Sequence, residues 1–466
     1  MKWIAMLLSL SLLVLTHELG HLGFAKLFHT RVRRFYVFFN WKFSILKAKK
    51  FGGKWHFLFF NAKTPKSWNE ENLAPEDRDN TLWGIGWIPL GGYCDIAGMI
   101  DETKDAKDLP AEPQPWEYRS KPAWQRLLIV SGGVLVNFVS ALLLFSLIFS
   151  RWGQDELPLR NATLGYDYHQ VMLDEGFQTG DIIYSIDSQE QYDFTAATRA
   201  LLLDNPRQVT VMRGDSLVDI TMSGHLLEQT NRQHVKHLMK PRMPFVVDGF
   251  VGGSVAERAG LQVGDSVVSL NGIPMPAFSD LSPALKEHAG DSVILGFYRQ
   301  GRLDSTIVHI GSDGKLGVKL VTDIASLFQV KHIDYTLWQA IPAGISHGWE
   351  TLVEYVSSLK MLFSPGGMQS LGGFGTISSI FPDHWDWQAF WTVTALLALV
   401  LAFMNIIPIP GLDGGHLVFT LWEIVSGRKP SDKFLSVAQS VGMILLLALM
   451  VVANGNDLWR WLSGKF

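Results

Sequence analysis

A group of residues suited to metal chemistry lies near the start of the chain. His17, Glu18 and His21 form the pattern H-E-x-x-H. On a helix, residues four positions apart share one face, so both imidazoles can reach a single metal ion. Zinc suits two neutral imidazoles, and a glutamate between them can act as a general base on water. The pattern therefore predicts a zinc site with hydrolytic chemistry.

A third ligand has to come from far along the chain. No acidic residue follows the motif until Glu70, and an extended motif would need Gly and His at the positions of Phe24 and Leu27. The candidate is Asp413, in the run N-I-I-P-I-P-G-L-D-G-G that begins at Asn405. Proline and glycine end an apolar segment at this point. The ordinary alternative is that Asp413 only caps the end of a helix.

Both motifs lie in segments that are apolar enough to cross a bilayer. The chain has 466 residues, of which 47% are hydrophobic and 18% charged, against about 25% charged in soluble proteins. About 20 apolar residues span a membrane, and the predicted spans are residues 1–28, 127–150, 387–412 and 434–453. A cleaved signal peptide is the alternative for the first span. It fits poorly, because the apolar run continues past the polar cluster and no A-x-A site follows.

The charges of the loops predict the topology. Lys and Arg are abundant in the loop 29–126 and recur between the third and fourth spans. The positive-inside rule places both loops in the cytoplasm, and the region 151–386 and the tail 454–466 outside. His17 then lies about 21 Å along the first span, past the middle of a core of about 30 Å. Asp413 lies near the inner end of the third span, so the two halves of the site reach a similar depth.

The insert between the second and third spans contains an internal repeat. Residues 175–187 read EGFQTGDIIYSID and residues 259–271 read AGLQVGDSVVSLN, at an offset of 84 residues. In each copy a glycine turn precedes a strand in which apolar and polar residues alternate. The repeat predicts two small domains of the same fold.

The second copy, which carries Gly260, Gly264 and Asp265, resembles the PDZ signature, and the first copy is a weaker match. The insert therefore resembles two tandem PDZ-like α+β domains, at 155–230 and 231–322. PDZ domains bind extended peptides at a sheet edge. Peptide capture and a purely steric role, without a peptide ligand, are both open.

Residues 335–381 form a further amphipathic segment or linker. Apolar residues recur there near helical spacing, and charged residues are sparse. This pattern is typical of a helix on the outer membrane surface. A helix packed beside the PDZ-like pair is the alternative.

Taken together, these motifs resemble the site-2 protease family of intramembrane zinc metalloproteases, peptidase family M50. That family combines H-E-x-x-H in one span with N-x-x-P-x-P-x-L-D-G in another, and the second motif matches from Asn405 to Gly414. The resemblance covers essentially the whole chain and implies an α-helical polytopic membrane protein with four transmembrane helices. It also implies roles for five residues: His17, His21 and Asp413 bind Zn²⁺, Glu18 is the catalytic base, and Asn405 holds the substrate backbone or the oxyanion.

The resemblance implies a substrate-binding element in the cytoplasmic loop. The stretch P-L-G-G-Y at 89–93 is similar to a loop of that family in which a membrane-associated β-element pairs with the unwound substrate. The region 35–60 has strand-like apolar runs around a Gly52-Gly53 turn, which suits such an element. The substrate-binding residues implied in this way are Gly91, Gly92, Tyr93 and Asn405.

Several polar residues near the motifs are interpreted as packing. Gly133 and Asn137 match the G-x-x-x-N pattern of the family loosely, and helix packing through a small residue is an equal alternative. His416 and Glu423 are interpreted as local polar packing, and the lone Cys94 as a small apolar filler.

The implied activity is that of a zinc metalloendopeptidase of the bacterial inner membrane, which cleaves the transmembrane segment of single-span proteins. The implied substrates are an anti-sigma factor already trimmed outside by another protease, and leftover signal peptides. Its cleavage would release a cytoplasmic fragment for the envelope stress response, with the periplasmic PDZ-like pair as a size filter. A net charge of -4 predicts no nucleic-acid partner. The competing hypotheses are a membrane-anchored PDZ scaffold with a non-catalytic metal motif, and a metal transporter, which would leave Glu18 unexplained.

Overall fold

The computed structural model describes residues 1–89, 91–99, 112–233, 235, 237–359 and 371–463. Leu90 and parts of the predicted cytoplasmic loop and of the segment 335–381 lie outside the described residues. The chain forms two compact units. The membrane unit comprises Met1–Trp152 and Asp334–Trp459, and the insert unit comprises Gly153–Ile333 together with the last residues of the chain.

The membrane unit begins with helix α1 (Lys2–Leu27), which carries the H-E-x-x-H motif. A five-stranded sheet follows, with the strands β1 Val32–Tyr36, β2 Ser44–Phe51, β3 Lys54–Asn61, β4 Leu82–Ile85 and β5 Tyr93–Ile96. Their order is β3-β2-β4-β1-β5, so β3 and β5 form the two edges. The predicted Gly52-Gly53 turn joins β2 to β3 with positive φ at both residues, as a tight hairpin requires.

Helix α2 (Ala123–Trp152) crosses α1 where two glycines face each other. A Cβ on Gly20 would lie 2.2 Å from the backbone oxygen of Gly132. The two backbones therefore touch, which is the small-residue packing typical of membrane helices. This crossing lies next to His17 and His21, so it fixes the metal motif of α1 against α2.

The insert unit consists of two successive modules. The first module contains β6 Gln154–Glu156, β7 Tyr166–Tyr168, α3 Gln170–Asp174, β8 Ile182–Ile186, β9 Gln189–Glu190, α4 Phe194–Leu203, β10 Gln208–Arg213, β11 Ser216–Thr221, α5 Leu226–Arg232 and β12 Met239–Pro241. The second module contains β13 Phe245–Phe250, α6 Val255–Arg258, β14 Ser266–Leu270, β15 Ile273–Pro274, α7 Phe278–Glu287, β16 Ser292–Arg299, β17 Arg302–His309 and β18 Val318–Leu320. The unit ends with α8 Ile324–Leu327 and β19 Lys331–Ile333.

The repeat seen in the sequence recurs in the structure of the insert unit. Strands β8 and β9 and helix α4 return as β14, β15 and α7, each 84 residues later. The main sheets have the orders β11-β10-β8-β9 and β17-β16-β14-β13-β18, with β15 paired to β14. Each module has its own apolar core, and β19 pairs with β6 across the two ends of the unit.

A buried aspartate occupies the same place in both modules. The Asp181 carboxylate accepts two hydrogen bonds from Arg213, at 2.8 and 2.7 Å, and one from the backbone N–H of Gln178 at 2.8 Å. Asp265 repeats the arrangement with Arg299, at 2.8 and 2.7 Å, and Gln262 N–H at 2.7 Å. The paired guanidinium and the backbone amide satisfy each carboxylate, so its burial carries no unmet hydrogen bond.

The described residues of the membrane unit resume with the helices α9 Leu337–Ser358, α10 Phe374–Ile380, α11 Trp387–Ile406, α12 Asp413–Ser426 and α13 Asp432–Leu462. Helix α9, from the segment 335–381, packs along α2 with Gly344 against Ser146 and Gly348 against Leu142. Helix α11 ends at Ile406 because two prolines follow, at 408 and 410. A non-helical turn leads from there to Asp413, which begins α12.

Four of the described helices are long and apolar enough to cross a membrane: Lys2–Leu27, Ala123–Trp152, Trp387–Ile406 and Lys433–Leu462. The chain is thus a polytopic membrane protein with sheet-rich regions, as the sequence predicts. The helices that carry the two predicted metal motifs, α1 and α11 with α12, both belong to the membrane unit.

Candidate metal centre

Three side chains that are far apart in the sequence converge on one point. Nε2 of His17 lies 3.2 Å from Nε2 of His21. Asp413 Oδ2 lies 3.2 Å from the first of these nitrogens and 3.3 Å from the second. Ligand atoms about 2.0 Å from a tetrahedral zinc ion are about 3.3 Å from one another. Among the described residues, this is the one group of three or more that could hold a metal ion.

The charge and hydrogen bonding of this group fit a divalent cation. Asp413 Oδ2 is buried and accepts no hydrogen bond within the described part of the chain. A buried carboxylate oxygen without a partner is costly, and a metal ion removes that cost. Two imidazoles and one carboxylate, with a fourth position left for water or substrate, form the usual ligand set of a catalytic zinc site.

Helix α2 supports both imidazoles. Nδ1 of His21 lies 3.0 Å from the backbone oxygen of Ile129, so this nitrogen carries the proton and leaves Nε2 with its lone pair for the metal. A Cβ on Gly133 would lie 2.5 Å from the ring of His17 and 2.6 Å from Nε2 of His21. Position 133 has room for glycine alone, because the two rings occupy the space of a side chain.

Asn137 holds the other imidazole. Its carboxamide lies 3.4 Å from Nδ1 of His17 and 2.9 Å from the Thr16 hydroxyl. Thr16 Oγ1, which also lies 2.9 Å from the backbone oxygen of Leu13, donates to Asn137 Oδ1. Asn137 Nδ2 is then the atom that faces His17 Nδ1, and the two contacts hold the carboxamide and the imidazole in one orientation. The G-x-x-x-N pattern, a loose match in the sequence, thus supplies two contacts to the imidazoles.

A single cavity of about 310 Å³ contains the convergence point, within the size range of small-molecule sites. All eight residues that the sequence places in catalysis, metal binding and substrate binding contribute to its lining: His17, Glu18, His21, Gly91, Gly92, Tyr93, Asn405 and Asp413. Cys94, His416 and Gln439 also line it, which the sequence does not indicate. The three PDZ-signature residues, Gly260, Gly264 and Asp265, belong to the insert unit.

Strand β5 brings the edge of the sheet to this cavity. Tyr93, Cys94 and Ile96 of β5 line it, and among the described strands β5 pairs with β1 alone. The ring of Tyr93 stacks on Tyr36 at a centroid distance of 5.0 Å. Burial raises the pKa of Tyr93 to about 12, so its hydroxyl stays neutral at physiological pH. The edge of a sheet next to a metal centre is suited to binding an extended peptide.

An ion pair ties the helix of Asp413 to α2. Arg126, in the first turn of α2, donates to Glu423 of α12 at 2.5 Å, and the two side chains are 8% and 19% exposed. Arg126 also donates to the backbone oxygen of Lys121. Glu423, interpreted from the sequence as local packing, thus bridges two helices. Because α2 also holds both imidazoles, this bridge fixes Asp413 relative to the two histidines.

Comparison with known proteins agrees with this site. The sequence model of peptidase family M50 matches residues 69–449, and the chain belongs to that family. This confirms the predicted family and the predicted class of enzyme, a metallopeptidase.

Curated relatives match over nearly the full length of the chain. "Putative zinc metalloprotease NMA0084" of Neisseria meningitidis is 26% identical over 99% of both chains. "Regulator of sigma E protease" of Haemophilus influenzae is 25% identical over 97% of this chain and 98% of its own. "Protease RseP" of Yersinia pestis is 26% identical over 98% of each.

Proposed function

We propose that this peptidase is a zinc-dependent endopeptidase that cleaves single-span membrane proteins within or near their membrane-spanning segment. The observation that carries the proposal is the convergence of His17, His21 and Asp413 beside Glu18. Oδ2 of Asp413 is buried there and accepts no hydrogen bond from the described residues. Two of the relatives are named as a zinc metalloprotease and as a regulator of sigma E protease, which supports the metal and the physiological setting. The four apolar helices support a site built within the membrane.

His17, His21 and Asp413 would hold the zinc ion. When bound, zinc would supply Lewis acidity for the scissile carbonyl and for the attacking water. Glu18 lines the same cavity and takes the proton from the attacking water, then gives it to the leaving amine. Asn405, 9% exposed at the inner end of α11, donates to the developing oxyanion or holds the adjacent backbone. One such donor contributes about 3–4 kcal/mol in other hydrolases.

The substrate binds as an added strand. A transmembrane helix satisfies its own backbone and hides the scissile bond, so the segment has to unwind first. The edge of β5, next to Gly91, Gly92 and Tyr93, offers hydrogen bonds to the freed main chain. Pairing with β5 lays the segment across the metal centre and replaces the helical hydrogen bonds that unwinding breaks.

The natural substrate is an anti-sigma factor that another protease has already trimmed, and remnant signal peptides are a second group. The enzyme lies in the bacterial inner membrane, with the active site toward the cytoplasm, and cleavage releases a cytoplasmic fragment for the envelope stress response. The loop charges support this orientation through the positive-inside rule. The name of the Haemophilus influenzae relative, "Regulator of sigma E protease", supports a role in sigma-E regulation.

The insert unit acts in the periplasm as two PDZ-like domains, one for each of its two modules. Because β12 pairs with β7, the first domain extends to Pro241 and not only to residue 230. The two modules share the Asp–Arg arrangement and the 84-residue spacing, and Gly260, Gly264 and Asp265 form the turn of the second. The pair excludes substrates with bulky external domains. Deletion of 155–322 should permit cleavage of untrimmed substrates, and continued rejection of those substrates would contradict this role.

The test of the activity is the cleavage of a single-span reporter with a small external end. The purified wild type and Glu18→Gln are compared in detergent, both loaded with zinc. Cleavage by the wild type alone, with equal zinc in both proteins, is expected. Failure of both proteins to cleave, with zinc absent from both, would overturn the proposal and favour a PDZ scaffold with a non-catalytic motif.

A further inference from the structure

A polar residue of the last helix faces the metal cavity. Helix α13 is mostly exposed, and only 6% of its most apolar stretch is buried by the rest of the protein. Gln439 is its one contribution to the cavity among the described residues, beside His17, Glu18 and Asp413. A carboxamide in an apolar helix is costly unless it binds something. Its position on the cavity wall therefore calls for a function.

A close backbone contact fixes the orientation of Gln439. A Cβ on Gly442 would lie 1.3 Å from the backbone oxygen of Pro410, so α13 touches the turn that leads to Asp413. Residues three positions apart on a helix share a face, and Gln439 precedes Gly442 by one turn. The Gly442–Pro410 contact thus sets the rotation of α13 that turns Gln439 toward the cavity.

Two carboxamides in this cavity have no hydrogen-bond partner among the residues that the structure describes. Neither the Asn405 nor the Gln439 side chain forms a hydrogen bond or an ion pair with another residue in the described part of the chain. Each carboxamide has two donors and two acceptor positions, which matches the alternating N–H and C=O groups of a peptide main chain. Both groups are therefore available to a ligand that enters the cavity.

We propose that Gln439 binds the main chain of the unwound substrate, as a second carboxamide beside Asn405. This inference rests on the proposed function. An extended segment has polar main-chain groups along both of its edges, and β5 pairs with only one of them. In a site enclosed by membrane helices, the groups of the other edge need hydrogen-bond partners from the wall of the cavity. Gln439, on a helix separate from the sheet, supplies hydrogen bonds to that second edge.

The first test is a kinetic comparison of Gln439→Leu with the wild type, as full-length zinc-loaded proteins acting on the single-span reporter. Loss of one neutral hydrogen bond should lower kcat/KM about three- to tenfold. The change should appear in KM, with kcat and zinc content unchanged, because the contact is made before and during the reaction. The matched control is Ser440→Leu, since Ser440 is exposed next to Gln439, and its KM should stay within twofold of the wild type. A KM for Gln439→Leu within twofold of the wild type would overturn the inference.

The second test does not depend on turnover. A photo-crosslinking residue at position 439, in the Glu18→Gln background, should form an adduct with the bound reporter. The same residue at position 444, where Ile444 is 68% exposed, should form little or none. No adduct at 439, or equal adducts at both positions, would contradict substrate contact. If the wild type cleaves the reporter but both tests fail, only the proposed role of Gln439 is wrong. If a zinc-loaded wild type cleaves nothing, the proposed function itself is wrong.

Discussion

Buried aspartates in the two units of this protein have opposite surroundings. In the insert unit, Asp181 and Asp265 are each 1% exposed, and each accepts two hydrogen bonds from an arginine and one from a backbone amide. In the membrane unit, Asp413 Oδ2 is buried without any hydrogen bond among the described residues, close to two imidazole nitrogens.

The difference separates a structural carboxylate from a ligand. A buried charge with a complete set of partners stabilises one conformation of its module and has no capacity left for a ligand. A buried carboxylate oxygen that lacks a hydrogen bond is stable only when a bound cation neutralises its charge. The same residue type therefore supports folding in one unit and metal binding in the other.

The largest expected effect comes from exchanging each aspartate for asparagine. Asp413→Asn should lower kcat/KM for the reporter on the order of 10³-fold or more, because it removes the anionic ligand of the metal. Asp265→Asn should leave the same activity within about threefold of the wild type, since Asp265 is not among the described residues that line the cavity. Steady-state cleavage of a reporter with a small external end measures the activity of both variants. Comparable losses of activity would show that the two aspartates do not differ in their role.

The second effect concerns stability. Asp265→Ala removes the buried carboxylate that accepts from Arg299 and from the Gln262 amide, so the second module should become less stable. Hydrogen exchange of β14 and β16 in the intact protein should become faster, while α1 and α2 keep their protection. Asp248→Ala, at an exposed position of β13, is the matched control and should change nothing. Unchanged exchange in Asp265→Ala would mean that the pair does not stabilise the module.

The third effect concerns the residue that holds His17. Asn137→Ala should weaken zinc binding about 10- to 100-fold, as loss of a hydrogen-bond partner of a metal-bound histidine usually does. Competition with a chelator measures this affinity without reference to turnover. Ser140→Ala, on the same helix, should bind zinc as the wild type does. Equal affinity in all three proteins would reduce Asn137 to helix packing, the alternative that the sequence leaves open.

The smallest effect is a pH dependence of the insert unit. Burial alone would raise the pKa of Asp265, but hydrogen bonds from Arg299 and the Gln262 amide outweigh it and hold that pKa below its usual value. A carboxylate with a lowered pKa stabilises the fold above the pKa of the unfolded chain, about 4, and loses this contribution as the pH falls further. The unfolding free energy of the insert unit should therefore be level near neutrality and fall below about pH 4. Asp265→Asn should show a weaker slope there, and an identical slope would contradict the assignment.

The sequence predicts the parts of this protein that depend on spacing and composition. The i, i+4 histidines, the four apolar spans and the 84-residue repeat are local or periodic features, and the family match confirms the class of enzyme. Five of the eight site residues around the cavity come from two motifs that carry costly polar groups into or next to apolar helices. The other three, Gly91, Gly92 and Tyr93, come from the family resemblance of the stretch 89–93. The individual roles of all eight residues remain predictions.

Contacts between helices are what the sequence does not reveal. Asn137 is recognisable only once α2 is seen to cross α1, and Glu423 only once Arg126 lies opposite, about 300 residues away. Gln439 is a single polar residue in a long apolar helix, and nothing in its neighbours shows which face meets the cavity. The rotation of α13 depends on the Gly442–Pro410 contact, which is a property of the packed structure.

The most direct test of the account is X-ray absorption of the purified wild type at the zinc edge, together with its zinc content. We expect one zinc per chain with nitrogen and oxygen ligands at about 2.0–2.2 Å. Asp413→Ala should lose most of the metal. A sulfur ligand at about 2.3 Å would instead point to Cys94, which lines the same cavity. That ligand, or undiminished zinc in Asp413→Ala, would contradict the ligand set of His17, His21 and Asp413.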